Sequence, residues 1–357
     1  MKHILFISTH YRMSDKIFGL IPELSKQFVI DMFCIGQMSL NREWEGDIDL
    51  RKKVLKNLDP YLRKIIIGEG INYFKERAKK TLSYVNIKDY DLILYDDNRL
   101  HPRLQMPEIY LEAKRHKIPV VGNSHGNQDA AKKNYSALGR SYDYAFLLGE
   151  PERKRYSKWF HKSKLLIGGI PSNDVLKNYE HNPKHLLVVP NFLDNRKAPF
   201  KVKFGQKWAN IAIELSKHYG LPIVVKQKTR TDDRDYIKNV NYIKSIFKNY
   251  NRLTIVNDTD DLNRLISDSA MVLSALSNLA FIPIALGIPT VLIKESGQLG
   301  NLEGYPYQCG LNYESVKTMF KKFNKKRARM HIKQVIAGGA NFNSTEIYIN
   351  ELKRVIR

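Results

Sequence analysis

The chain has 357 residues, more than one hydrophobic core ordinarily serves, and 43% of them are hydrophobic and 11% aromatic, so two packed domains are expected and a largely disordered chain is excluded. Two cysteines, Cys34 and Cys309, exclude a disulfide framework and a cysteine-built metal cluster and fit a reducing cytoplasm, while the apolar start HILFIS is too short for a signal peptide or a membrane span. The 59 Lys and Arg against 36 Asp and Glu give a formal charge of +23, which draws polyanions in general: nucleic acid, an anionic membrane face or phosphorylated substrates.

The chain opens on a strand, KHILFIS (2–8), followed by a helix over 14–28 capped by Ser14 or Asp15 and a second strand at 28–35. Residues 40–90 are mixed and Lys-rich, with a helical tendency and one short strand at 64–68. From residue 91 the alternation is regular. Strands are expected at 91–97, 118–124, 142–149 and 164–169, with a helix at 106–117 and further helical stretches between them. The polar, proline-containing stretch YEHNPKH (179–185) marks a domain boundary. A second cycle follows, with strands at 185–191, 222–228, 252–258, 270–275 and 289–295 and helices at 203–219, 235–249, 260–268 and 277–287. The basic segment from 321 onward reads as helices, with a break at Gly338-Gly339. Strands and helices alternating at this spacing imply parallel sheets covered on both faces, in two doubly wound halves.

In such sheets ligands bind beyond the carboxyl ends of the strands, so the residues just after each apolar run carry the functional signal. In the first half these are His10, Asp97 and His125, the last beside Gly126, where a ligand can approach the backbone. A histidine or carboxylate there can take a proton from a hydroxyl, and a histidine that only ties a loop fits the same pattern. In the second half Lys226, Lys228 and Arg230 alternate after a strand as a pyrophosphate clamp requires, although a solvated charge run looks the same. The stretch LSALSNLAF carries Ser274, Ser277 and Asn278 where a strand meets a helix, a natural phosphate seat that capping alone would also produce. The Asp pairs at 96–97, 232–233 and 260–261 superficially match metal sites, but no metal or other cofactor is expected. The aromatic residues form no paired stacking motif, so nucleic acid is not an expected partner.

Taken together, NSHG (123–126), GGIPSNDVL (168–176) and TDDLNRLISDSAMVLSALSNLAFIPIALGIPTVLI (259–293) resemble, in order, the motifs of the CDP-glycerol glycerophosphotransferase family, whose members are GT-B enzymes. The resemblance implies an α/β, GT-B-like architecture: two doubly wound Rossmann-like domains with a cleft between them. The expected boundaries are 1–180 for the acceptor domain, 181–335 for the nucleotide-donor domain, and 336–357 for a C-terminal helix returning to the first. It also implies His125 as the catalytic base, Pro171, Asn173 and Asp174 with Gly126 in cleft loops, and Ser277-Asn278 at the donor phosphate. The family's second histidine is replaced here by KQKTRTDD (226–233), which turns the expectation from polyol-phosphate transfer toward sugar transfer. The expected activity is therefore that of a cytoplasmic glycosyltransferase of cell-surface polysaccharide synthesis. It would take a nucleotide-activated sugar to a glycan or lipid-linked acceptor, and basic helices within 51–80 and 321–334 would hold it to the inner, anionic membrane face. A CDP-polyol phosphotransferase, a nucleotide-sugar epimerase and a non-catalytic two-lobed binding protein are the alternatives.

Overall fold

The computed structural model describes residues 1–8, 19–35, 56–68, 82–95, 107–123, 142–158, 160–190, 198–226, 236–256, 261–275, 277–294 and 302–356. The chain forms two compact units, Met1–Asp174 together with Gln334–Arg357, and Val175–Lys333.

The first unit holds β1 (His3–Ser8), β2 (Val29–Ile35), β3 (Lys64–Gly68), β4 (Leu92–Tyr95), β5 (Val120–Gly122), β6 (Tyr144–Leu147) and β7 (Leu165–Ile167). They form one parallel sheet in the order β3-β2-β1-β4-β5-β6-β7. Consecutive residues Ile4, Leu5, Phe6 and Ile7 are all buried, as a strand covered on both faces requires. Leu5, Ile7, Phe33 and Ile93 pack one face with Ile109 and Ala113 of the helix Pro107–Arg115. Ile4, Phe6, Met32 and Leu94 pack the other with Leu24 of the helix Ile21–Ser25 and with Tyr348, Ile349 and Leu352 of the helix Ser344–Ile356.

The second unit repeats this winding with β8 (His185–Val189), β9 (Ile223–Lys226), β10 (Leu253–Val256), β11 (Ser269–Ala275), β12 (Thr290–Ile293) and β13 (Gln308–Cys309), all parallel, in the order β10-β9-β8-β11-β12-β13. One face of its core joins Leu186, Val188, Leu273 and Val291 to Trp208 and Leu215 of the helix Ala198–Tyr219 and to Val316 and Phe320 of the helix Tyr313–Lys321.

Twelve of these strands coincide with the apolar runs, and β13 is too short to leave a pattern. The helices differ more. Ala198–Tyr219 starts five residues before the expected position. The helix expected over 277–287 is a 3-10 turn, Asn278–Ala280, followed by the helix Phe281–Leu286. Pro283 gives the reason, because it has no N–H to bond Leu279 and its ring crowds that carbonyl. Of the mixed region 40–90, the described parts hold β3, α-helical residues at 56–58 and 82–84 in keeping with the expected helical tendency, and two 3-10 turns, Asp59–Tyr61 and Ile87–Asp89.

At the amino edge of the first sheet, Asp31 is fully buried within β2. Arg63 grips it with both nitrogens, Nε to Oδ1 at 2.8 Å and Nη2 to Oδ2 at 2.6 Å, Tyr90 donates its hydroxyl at 2.9 Å, and His3 Nε2 stands 3.4 Å away. Burial alone would raise the Asp31 pKa, but these donors and the Arg63 charge outweigh it and hold the carboxyl below its ordinary value. A depressed carboxyl contributes stability above its unfolded pKa and loses it as pH falls through the native one. Arg63→Ala should cost about 2–3 kcal/mol at pH 7, because a buried carboxylate then keeps only weaker partners. It should also move the onset of acid unfolding to higher pH, since desolvation is then opposed only by Tyr90 and His3. Urea denaturation followed by circular dichroism between neutral and acid pH measures both.

Candidate functional site

In an open parallel sheet the winding reverses at one point, and the connections there leave in opposite directions, opening a crevice beyond the strand ends. In the second unit that point lies between β8 and β11, paired from His185 with Ser269 to Val189 with Ser274. Past these strands come Pro190 on one side and Ser277 on the other. Ser274 is fully buried in β11 and its hydroxyl donates to the Ala275 carbonyl at 2.8 Å. Ser277 is partly exposed and opens the 3-10 turn, its hydroxyl accepting the Leu279 N–H at 3.2 Å and its carbonyl the Ala280 N–H at 3.1 Å. Of Asn278 only the backbone is described, at the start of that turn.

Two cations flank the same point. Lys226 is the last residue of β9, beside β8, and is half-buried. Lys294 follows β12, beside β11, and is exposed, its own N–H held by the Cys309 carbonyl at 2.9 Å. Their strands stand three places apart in the sheet, about 14 Å at the usual spacing, so two extended lysine side chains can converge on one diphosphate over β8 and β11. Lys294 escapes sequence reasoning because it simply ends an apolar run, and only the strand order gives it a place. Lys228 and Arg230 lie outside the described residues.

In the first unit the reversal lies between β1 and β4. His10, Asp97, His125 and Gly126 lie outside the described residues. Asn123, the first residue of the NSHG motif, is described and buried. Its Nδ2 donates to the Tyr95 carbonyl at the end of β4, and its Oδ1 accepts the hydroxyl of Tyr348. The Tyr348 ring in turn stacks on Phe146 of β6, with centroids 3.7 Å apart and planes 13° apart. One amide thus ties the carboxyl ends of β4 and β5 to the last helix of the chain.

The segment expected as a cleft loop is described from Pro171 to Asp174. Pro171 and Asn173 belong to the 3-10 stretch Pro171–Asn178, where Pro171 is buried and the Asn173 N–H bonds the Ile170 carbonyl at 3.0 Å. Asp174 accepts the N–H groups of Ser344 at 3.0 Å and Thr345 at 2.7 Å, capping the helix Ser344–Ile356. Asp261, from one of the Asp pairs, caps the helix Leu262–Ser267 by accepting the Arg264 N–H at 2.7 Å and also accepts the Tyr179 hydroxyl at 3.1 Å. Among the described residues no three His, Cys, Asp or Glu side chains stand together as a metal site.

No protein-family model and no curated protein matches the chain. Solved structures do match it over nearly its whole length. A UDP-GlcNAc 2-epimerase from Methanocaldococcus jannaschii superposes with a TM-score of 0.68 at 14% identity, covering 99% of this chain and 100% of that one. A glycosyltransferase from Rickettsia africae superposes with a TM-score of 0.61 at 12% identity, covering 99% of both chains. The Anabaena protein Alr3699/HepE, solved with UDP and glucose, gives 0.61 at 10% identity and again 99% of both. The chain has the GT-B fold. Within the GT-B fold the two Rossmann-like halves are the two sheets above, each with its own reversal point.

The Asn123 bridge makes a prediction for the first half of the GT-B fold. Tyr348→Phe leaves the Asn123 oxygen buried without its donor, and Asn123→Ala leaves the Tyr348 hydroxyl without its acceptor and removes the side-chain donor from the Tyr95 carbonyl. Thermal melting should show a loss of about 1–3 kcal/mol for the first and a larger loss for the second. Equal, negligible effects would mean that the bridge contributes nothing.

Proposed function

We propose that the chain is an enzyme acting on a nucleotide-activated sugar, with the donor diphosphate held over β8 and β11, and that it transfers the sugar to an acceptor hydroxyl. The observation that carries this reading is the placement of Ser277, Lys226 and Lys294 around the reversal point of the second sheet. Two cations and a hydroxyl there match the charge that develops on a leaving nucleoside diphosphate. The bond from the anomeric carbon to the phosphate oxygen breaks, the acceptor oxygen bonds that carbon, and a base takes the acceptor proton. His125 is the proposed base, with His10 and Asp97 as its competitors. They follow β5, β1 and β4 in sequence, the edge of the first sheet where ligands bind. Donor and acceptor are read as a nucleoside diphosphate sugar and a glycan or lipid-linked acceptor of cell-surface polysaccharide synthesis.

A second reading is epimerisation of the nucleotide sugar without an acceptor. It is supported by the TM-scores of the 2-epimerase, 0.68 and, in its complex with UDP-GlcNAc and UDP, 0.62, against 0.61 for the glycosyltransferase. The same diphosphate seat serves both readings, and the fate of the sugar separates them.

Thermal stabilisation by UDP-glucose, UDP-GlcNAc and CDP-glycerol tests the seat, since a ligand at 100 times its Kd adds about 2.7 kcal/mol. A UDP-sugar should stabilise the chain, and Lys226→Ala and Lys294→Ala should each weaken that binding about tenfold or more, the loss of a charge-assisted contact. His125→Ala should keep donor binding and lose turnover. Conversion of the sugar with no acceptor present assigns epimerisation, stabilisation by CDP-glycerol alone assigns polyol-phosphate transfer, and no stabilisation by any nucleotide removes the proposal.

A further inference from the structure

Between Glu314 and Glu346 the sequence has eight Lys and Arg and no Asp or Glu. The helix Tyr313–Lys321 and the helix Lys325–Val335 fall in this stretch. The second is amphipathic in an unusual sense. Ala328, His331, Ile332 and Val335 form its buried side. Lys326, Met330 and Lys333 recur at four and three residues on the opposite side and are exposed, Met330 by 50%. Lys321, Lys322, Lys325 and Arg327 are exposed around the corner between the helices. Among the described residues none of these six basic side chains is ion-paired, so the face carries uncompensated charge.

The corner is built to hold that charge in place. Asn324 caps the second helix, its Oδ1 accepting the Arg327 N–H at 2.9 Å, and its own N–H is fixed by the Tyr307 hydroxyl at 2.8 Å. Phe323 turns inward onto Tyr307, with centroids 4.9 Å apart. Lys325, Lys326 and Arg327 fill the first helical turn, which holds no acidic residue. A helix start carries positive partial charge and disfavours cations, so three of them there work against the helix unless an anion faces them.

We propose that this face, centred on Lys326, Met330 and Lys333, docks on an anionic lipid bilayer. An acid-free basic face complements the charge of such a surface, and an exposed methionine between two lysines matches the boundary between headgroups and acyl chains. A nucleic acid would use the lysines equally well but gains nothing from Met330, and Phe323 at the corner is turned toward Tyr307 rather than offered for base stacking. The contact proposed is peripheral, and no described helix is long and apolar enough to cross a membrane. It brings the chain to the surface where a lipid-linked acceptor resides, and so extends the transfer reading without sharing its residues.

Co-sedimentation of the full chain with vesicles tests the face. Binding is expected to phosphatidylglycerol mixed with phosphatidylcholine, to fall with salt, and to be weak on phosphatidylcholine alone. Lys326→Glu combined with Lys333→Glu should lower partitioning about 25-fold or more, at about fivefold per basic residue lost near an anionic surface. Its melting temperature should change little, because Glu at 326 suits the first helical turn while Glu at 333 opposes the dipole in the last. Met330→Ser should weaken binding severalfold and leave the salt dependence unchanged. Equal binding to both vesicle types, or a double variant that binds as well as the parent, overturns the proposal. So does tighter binding to polyuridylate that needs the two lysines and ignores Met330→Ser. Vesicle binding is read without turnover or nucleotide, so its failure leaves the nucleotide-sugar reading standing, and thermal stabilisation by nucleotides is judged separately.

Discussion

The pairing of β1 with β4, and of β8 with β11, is the constraint on which the rest of the molecule depends. Parallel neighbours cannot be joined by a tight turn, so each connection crosses a face of the sheet and buries it. Winding outward from β1 to β3, then restarting on its other side at β4, covers both faces and leaves one pair of strands whose connections diverge. The same order recurs from β8 to β13, so each unit has one such gap at its carboxyl edge. Strand order, not motif, therefore decides which polar residues can share a ligand. It ranges Ser277, Lys226 and Lys294 around one gap, although the last two are separated by more than two-fifths of the second unit's sequence and joined by no recognisable pattern.

How much of this was legible from residues alone follows from the range of the forces involved. Strands buried on both faces need continuous apolar runs, and LILY at 92–95 or TVLI at 290–293 announce themselves locally. Gln308–Cys309 pairs with β12 by only two residues and leaves no such trace. Asp174 reads as a loop residue of a motif, yet its carboxylate caps a helix 170 residues further on. Asn123 likewise reads as part of a site motif, while its amide joins β4 to Tyr348, 225 residues away. Such contacts depend on two distant segments meeting, which periodicity does not report. Asn123 and Ser277 stand just past strand ends, yet a motif alone does not separate residues that bind a ligand from residues that hold the strand ends together.

Charge is divided by role. Several of the described aspartates act as pins inside the fold. Asp31 holds Arg63 and Tyr90, Asp143 accepts from Tyr110, Lys114 and the Val120 N–H, and Asp268 takes Lys184 and Arg264. Asp174 and Asp261 cap helices. A carboxylate that accepts a backbone N–H or a desolvated arginine stabilises the fold and ceases to neutralise the surface.

The consequence is an asymmetry between the signs. With several aspartates drawn into caps and strand edges, much of the formal charge of +23 is expressed outward by lysines, long side chains that keep their ammonium groups in water. Where such lysines stand beside a hydroxyl at a sheet's reversal point, they suit a compact diphosphate, which needs few charges at short range. Where they spread along a helix around an exposed methionine, they suit an extended anionic surface, which needs many charges in one plane. Both arrangements follow from one tendency among the described residues, that several aspartates are engaged within the fold while many lysine ammonium groups stay in water. The geometry of each patch, rather than the total charge, then distinguishes the partners.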